Sequence, residues 1–306
     1  MKERSFSLMK KGFALALTLW IVAMLSLVSV LYLSYGKKVV QKTIQLNKKL
    51  ELTFEAESTI ELLKFYIATG EIDKDRVIND NFKNLFPSFP TFFYIDGRVK
   101  VMDNRTITLQ DTAGLINIHD NEAFSNYLSD GLTIEDRGII SDSMRDWLDL
   151  DDFSSLNGAE SSFYKQKKYA YGARDEDYIS SIEELFLIRG IEKYKKIDRD
   201  NLSSSNVLIR NILTMSPKLL GKVYEFTPNE IEQLVEVKKD GKEVFSNLFY
   251  KLNIENQRPE LEGFITSNIL KIEVISKRDN IYKKIKLLVN FRPNSQRAFK
   301  VLEYYD

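Results

Sequence analysis

The chain has 306 residues, with 44 basic and 44 acidic side chains, no cysteine and one histidine, His119. The charge balance removes any global field favouring nucleic acid or an anionic surface, and the lack of thiols excludes disulfides, thiolate metal sites and cysteine nucleophiles. A single imidazole argues against zinc sites built on histidine and against Ser-His-Asp catalysis, while the roughly 270 residues beyond Gly36 are enough to bury a core, in one large or two modest domains.

In chain order, the first element is an uncharged run over residues 13–35, preceded by Lys2, Arg4, Lys10 and Lys11. At about 1.5 Å per residue it spans a hydrocarbon core of about 30 Å as a helix. It is longer than a secretory h-region, and its far end, Leu31-Tyr32-Leu33-Ser34-Tyr35, is a poor signal-peptidase site. The basic leader predicts a cytoplasmic N-terminus and an exported remainder. Two readings stay open on this stretch alone. One is an ordinary signal anchor. The other is cleavage after Gly12, with Phe13 starting a mature chain that keeps the apolar segment.

No proline occurs between residues 37 and 70, so the helix is expected to continue. Leu46, Leu50 and Phe54, then Ile60, Leu63 and Ile67, recur at three- and four-residue steps as one apolar stripe. "FPSFPTFF" (residues 86–93) ends that pattern with two prolines. Strands are predicted over 91–95, 98–102 and 105–110, with Asp96-Gly97 and Asp103-Asn104 as turns. From about residue 121 to 252 the signals are helical: 142–148, 181–188, and a helix opened by the capping box Thr227-Pro228-Asn229-Glu230, with Gly241 closing that unit and a further stripe at Phe245, Leu248, Phe249 and Leu252. After Pro259, alternating strands flank Arg278-Asp279-Asn280, and 298–304 adds a last strand. Strands, helices, then strands again imply one sheet domain with a helical insertion, an α+β fold.

Four segments in order, "LQDTAGLINI" (109–118), "MRDWLDLDD" (144–152), "GAESSFY" (158–164) and "YISSIEELFLIRGI" (178–191), with "NILTMSPKLL" (211–220) further on and the N-terminal leader, resemble the minor pseudopilin K family of type II secretion (general secretion pathway protein K). The resemblance covers nearly the whole chain. It implies a pilin-like long N-terminal helix with an antiparallel sheet, interrupted by a large all-α insertion. It divides the chain into a prepilin leader (1–12), the transmembrane part of the helix (13–36), the periplasmic helix and first part of the β head (37–118), the inserted helical domain (119–258) and the strands completing the head (259–306). It further implies cleavage by a prepilin peptidase after Gly12, methylation of Phe13, an inner-membrane anchor with a periplasmic head, and assembly with the I- and J-type minor pseudopilins at the tip of a periplasmic pseudopilus. Pilin-like chains usually carry glutamate at the fifth mature position; Leu17 stands there, as the K family's pattern has it, and an unpaired carboxylate in lipid is costly. His119 departs from the family's usual asparagine, and Ser161 from an acidic residue.

The densest polar cluster is "DWLDLDDFSSLNGAE", with Asp149, Asp151, Asp152 and, a short loop away, Glu160. Carboxylates at this density suit calcium. Phe153 and Ser154 exclude a true EF-hand, and a solvated acidic loop is the other reading of the residues alone. The resemblance, whose family binds calcium in this part of the helical domain, favours the ion. "ELFLIRGIEKY" resembles half of a helix-hairpin-helix, but Glu192 replaces the second glycine and would repel phosphate, so a structural hairpin without nucleic acid is expected. Trp147 is expected as a core aromatic and His119 as a local hydrogen-bonding residue. The expected function is a non-catalytic tip subunit. The rival is a membrane-anchored periplasmic hydrolase using Asp149 and Glu160 as acid and base.

Overall fold

The computed structural model describes residues 2–128, 132–174, 178–193, 197–205, 209–253, 261–294 and 297–305. The backbone divides into two compact units, one of residues 1–56 with 276–283, the other of residues 57–275 with 284–306.

The first unit is dominated by α1, which runs unbroken over Lys2–Thr69. The described side chains of its apolar stretch are exposed, Phe13 at 72% and Leu17 at 52%, and one 18-residue window reaches a mean hydropathy of 2.3. By length and composition this helix can cross a membrane. Thr18, Ser26 and Ser29 return their hydroxyls to the carbonyls of Leu15, Val22 and Leu25, so these three need no outside partner. Nearer the unit's end, Lys48 pairs with Asp279 and Glu51 with Arg278, both at 2.9 Å. Asp279 lies at φ 55, the left-handed turn expected at Arg278-Asp279-Asn280.

The helical stripe is corrected in its first half. Leu46, Leu50 and Phe54 are exposed, whereas Leu52, Ala56, Ile60, Leu63, Tyr66 and Ile67 are buried. Every row along a helix repeats at four residues, and a row shifted by two positions sits about 200° away, on the opposite face. Spacing alone does not choose between them.

The first strands of the second unit make one small sheet. β1 (Glu71–Asp73), β2 (Arg76–Ile78) and β3 (Phe92–Tyr94) form a three-stranded antiparallel sheet, with α2 (Asp80–Leu85) inserted between β2 and β3. The two prolines sit in the following turn. The α1 residue Tyr66, fully buried, is ringed by Phe82, Phe89 and Phe93 at 5.1–6.3 Å and donates its hydroxyl to Thr91 O at 2.7 Å. Burial pushes its pKa up. β4 (Asp96–Met102) and β5 (Arg105–Asp111) belong to a different, five-stranded sheet. The hairpin turn expected at Asp96-Gly97 is therefore absent. Gly97, at φ 79, carries the chain from one sheet to the next, and the register slips between Asp96 and Val99. The Asp103-Asn104 turn is present, with Asp103 at φ 53.

The chain then leaves the sheet. β6 (Ile116–Asn117), α3 (Asn121–Leu128), α4 (Ile134–Leu148), α5 (Ser161–Gln166), α6 (Ile182–Leu185), β7 (Leu202–Ser203), β8 (Arg210–Asn211), α7 (Pro217–Tyr224), α8 (Pro228–Val237) and α9 (Lys242–Leu252) follow. They enclose one apolar core that includes Phe124, Ile140, Trp147, Leu185, Leu220 and Phe249. Thr227 opens α8 with a complete capping box and Pro228 in the first turn, as expected, and Gly241 turns the chain into α9 at φ 111. The helix expected over 181–188 is only the single turn of α6. β9 (Glu262–Gly263) pairs in parallel with β8, and β6 with β7. β10 (Ile269–Arg278), β11 (Ile281–Asn294) and β12 (Arg297–Tyr305) complete the sheet in the order β12-β11-β10-β5-β4. Pro259, where the strands were expected to return, and residue 258, the expected end of the helical domain, lie outside the described residues.

Exit and re-entry are tied at one residue. Asp111 is fully buried. Its Oδ1 accepts from Ala113 N, Ser267 N and Ser267 Oγ, and its Oδ2 from Asn211 Nδ2 and Thr214 Oγ1, at 2.6–3.2 Å. Gly114 lies so close to Thr214 O that an added Cβ would stand 2.4 Å from it. The segment "LQDTAGLINI" thus supplies the knot between sheet and helices.

Candidate metal centre and processing segment

Three carboxylates converge at the end of α4. Asp146 lies in its last turn and is fully buried; Asp149 caps the helix, its N–H donating to Arg145 O at 3.0 Å; Glu160, 1% exposed, stands at the start of α5. Each offers an oxygen within 4.8 Å of the others. Of the sequence-predicted set, Asp149 and Glu160 are brought together. Asp151 and Asp152 are not: both face solvent on the connecting loop, where Asp151 Oδ1 accepts from Phe153 N at 2.8 Å. Asp146 was missed. Its signal was available, since Asp146 and Asp149 stand at i, i+3, on one face of a helix that extends through 142–148.

The loop is folded around this point. Ser155 N donates to both oxygens of Asp146 at 3.1 Å, and Asn157 N to Asp142 Oδ2 at 3.1 Å. Arg189 Nη1 holds the carbonyls of Asn157 and Gly158 at 3.2 and 2.8 Å. A Cβ on Gly158 would fall 2.0 Å from Asp146 Oδ2, so any larger residue there must displace that carboxylate. The carboxylates also sit at the carbonyl end of a 15-residue helix, where the dipole is negative. Like charges drawn together, two of them buried, at that end of a helix favour a cation. The donors are all hard carboxylate oxygens, which fit calcium and not zinc or copper.

The neighbouring groups are structural. Trp147 is buried against Tyr164, ring centroids 5.4 Å apart, and donates its indole N–H to Glu184 at 2.9 Å. Burial works to raise the Glu184 carboxyl, but hydrogen bonds from Trp147 and Ser180 and the charge of Arg174 outweigh it and hold it below the ordinary range. His119 is half-buried; burial lowers its pKa against a hydrogen bond with the Ile179 backbone, and its backbone N–H donates to Asn117 Oδ1. Gly190, at φ 91, packs against Ile139 and Ile140 of α4, where a Cβ would meet side-chain carbons at 3.2 and 3.0 Å. Its backbone faces the core, as the structural-hairpin reading requires.

At the other end of the chain, Gly12 and Phe13 lie inside the continuous α1, and Leu17 is on its exposed surface.

Residues 116–197 match the family model of the type II secretion system (T2SS), protein K. That span runs from β6 past α6 and contains Asp146, Asp149 and Glu160. No curated protein matches the chain. Among solved structures it is similar to a chain of the GspK-GspI-GspJ complex from the enterotoxigenic Escherichia coli type 2 secretion system, at a TM-score of 0.53 and 14% identity, over 87% of this chain and 98% of that one. At that identity the likeness establishes a shared fold.

Proposed function

We infer that this chain is a type II secretion protein K, a minor pseudopilin. The observation that carries the reading is the position of the matched segment: it lies within the excursion between β5 and β10 of an antiparallel sheet that follows a 68-residue, membrane-length N-terminal helix. The chain is a structural subunit without catalysis, at the tip of the pseudopilus, where it starts or caps assembly and supports export of folded proteins. Its partners are the I- and J-type minor pseudopilins, named beside the similar chain in the solved complex. A prepilin peptidase cuts after Gly12, Phe13 becomes the methylated N-terminus, the helix stays in the inner membrane with its leader side cytoplasmic, and the head is periplasmic. Leu17 suits a tip position, because a subunit with none ahead of it has no N-terminal amine to neutralise a carboxylate in lipid.

Asp146, Asp149 and Glu160 hold one calcium ion. When bound, the ion supplies positive charge that offsets carboxylate repulsion and ties the two ends of the 149–160 loop. Asp142, Ser155 and Arg189 shape the loop around it. The hydrolase alternative draws no support from the fold or the matched domain, and the two carboxylates it would use are joined by a third, buried one.

Mass spectrometry of the N-terminus of the membrane-extracted chain tests the reading. A mature chain starting at methylated Phe13 is expected, with Gly12→Val leaving the precursor uncut. An intact Met1, or normal processing of Gly12→Val, would overturn it. The full chain in detergent should co-elute with its I- and J-type partners, and Leu17→Glu should not improve incorporation.

A further inference from the structure

The loop that closes over the three carboxylates does something they do not require. Among the described residues of the second unit, four large apolar side chains are more than three-quarters exposed, and three of them stand on this loop within seven residues: Leu150 at 78%, Phe153 at 85% and Leu156 at 95%. The fourth, Ile134, is at the start of α4. Isolated surface leucines are ordinary; three large apolar groups projecting from one short loop are not. The loop's base is fixed, by Ser155 N on Asp146, Asn157 N on Asp142 and Arg189 on the carbonyls of Asn157 and Gly158. The apolar groups are therefore presented from an anchored base, which reduces the entropy lost on binding.

We propose that the Asp149–Glu160 loop is a docking plug: Leu150, Phe153 and Leu156 enter an apolar groove of another protein whose rim carries lysine or arginine. The charge between the apolar groups selects this occupant. Asp151 and Asp152 are exposed beside Phe153. In a phospholipid surface they would meet phosphate, a like charge, and lose hydration. Against a basic rim the same carboxylates gain complementary partners and set the register. The aromatic supplies the central anchor and the two leucines the packing around it. The proposal rests on the secretion-subunit reading only for where the partner is sought, and it does not depend on an ion at the loop's base.

The test places the photoreactive residue p-benzoylphenylalanine at Phe153 of the full chain, in cells with a working secretion system, with the same residue at exposed Glu232 of α8 as control. Expected is one discrete protein adduct from position 153 and none from 232, with the cross-linked peptide lying in an apolar groove flanked by lysine or arginine. Asp151→Lys with Asp152→Lys should cut the adduct by about tenfold or more, since a reversed rim charge costs at least the 1.4 kcal/mol that a tenfold represents. Unchanged melting of the purified double variant shows that it folds; Asp151→Asn with Asp152→Asn, giving an intermediate yield, serves where it does not. A lipid adduct, no adduct, an equal adduct from 232, a groove without basic residues, or a yield indifferent to the charge changes would each overturn the proposal. Uncut Met1 in the same cells would instead count against the secretion reading, with the loop adduct read separately.

Discussion

Asp111 and the Asp146–Asp149–Glu160 group are two answers to the same problem, a carboxylate out of water. At Asp111 the protein supplies the whole answer: five donors from three separate segments converge on one anion. At the end of α4 three acids stand with oxygens within 4.8 Å of one another, at the negative end of a helix dipole. The first arrangement is complete as folded and fixes topology. The second, on the calcium reading proposed above, would be completed by adding charge from outside. Burial alone therefore does not mark a ligand site; the sign of what surrounds the buried group does.

The sharpest way to break this contrast is to remove Asp111. Asp111→Ala leaves five donors facing a cavity, and breaking a buried charged network costs about 3–5 kcal/mol. Denaturant unfolding of the full chain in detergent should show a loss of that size, equal with and without calcium. A loss that calcium restores would mean the knot and the metal centre are not independent.

The second effect is metal removal. An ion binding only the folded state stabilises by RT ln(1 + [L]/Kd), about 2.7 kcal/mol at a hundredfold excess over Kd. Chelator should lower the melting temperature, calcium restore it, and magnesium restore little, because magnesium demands octahedral geometry and keeps its water. Asp149→Asn with Glu160→Gln should erase the difference and leave the metal-free protein no less stable. The exposed pair Asp151→Asn with Asp152→Asn should keep the full calcium response. Gly158→Ala should lose it with every ligand intact, since its Cβ would displace Asp146 Oδ2. Identical melting in chelator and calcium, in metal-free protein, would show that the three carboxylates hold no calcium ion.

The contrast also explains what could be read from sequence. Local codes carried through: the Thr227-Pro228-Glu230 box starts α8, Asp279 makes the β10–β11 turn, and proline and charge patterns separate strands from helices. Asp149 and Glu160 were legible because acids crowd there in sequence. Asp146 opens that same acidic run, but only its helical spacing to Asp149 distinguishes it, and Asp151 and Asp152 belong to the run although the chain turns them outward. Asp111 was legible only as part of a family-like segment, since its donors come from positions up to 156 residues away. The Leu46 row of α1 and the Asp96-Gly97 turn failed for a related reason: both patterns are locally valid, and tertiary packing chose otherwise.

Between the two extremes stands Asp200, a half-exposed carboxylate neutralised within the fold by Lys271 and Lys286, each at 2.7 Å. Burial would raise its pKa, but the hydrogen bonds and charges of the two lysines prevail and lower it to about 2. A carboxyl depressed on folding contributes stability that is present above its ordinary value, near 3.8, and lost as pH falls toward 2. Asp200→Asn should flatten that part of the stability-pH curve, read by thermal melts across the window: its cost is largest at neutral pH, where two partly screened lysine pairs are lost, and fades as pH falls toward 2. A slope unchanged by the substitution would show that the lysines do not hold this carboxylate.

The smallest effect isolates the glycine argument. Gly138 lies in the interior of the same helix α4 that ends at the carboxylates, but an added Cβ there meets nothing nearer than Asn157 Nδ2 at 3.6 Å. Glycine in a helix interior is less favourable than alanine by about 0.5–1 kcal/mol, largely through the freedom of the unfolded chain. Gly138→Ala should therefore stabilise by up to about that amount, with the calcium response untouched. Measured beside Gly158→Ala, it separates a methyl group that fills open space from one that enters a carboxylate. If both variants lost the calcium response equally, the close approach at Gly158 would not be what shapes the site, and the loop's path over Asp146 would have to be fixed by its hydrogen bonds to Asp142 and Arg189 instead.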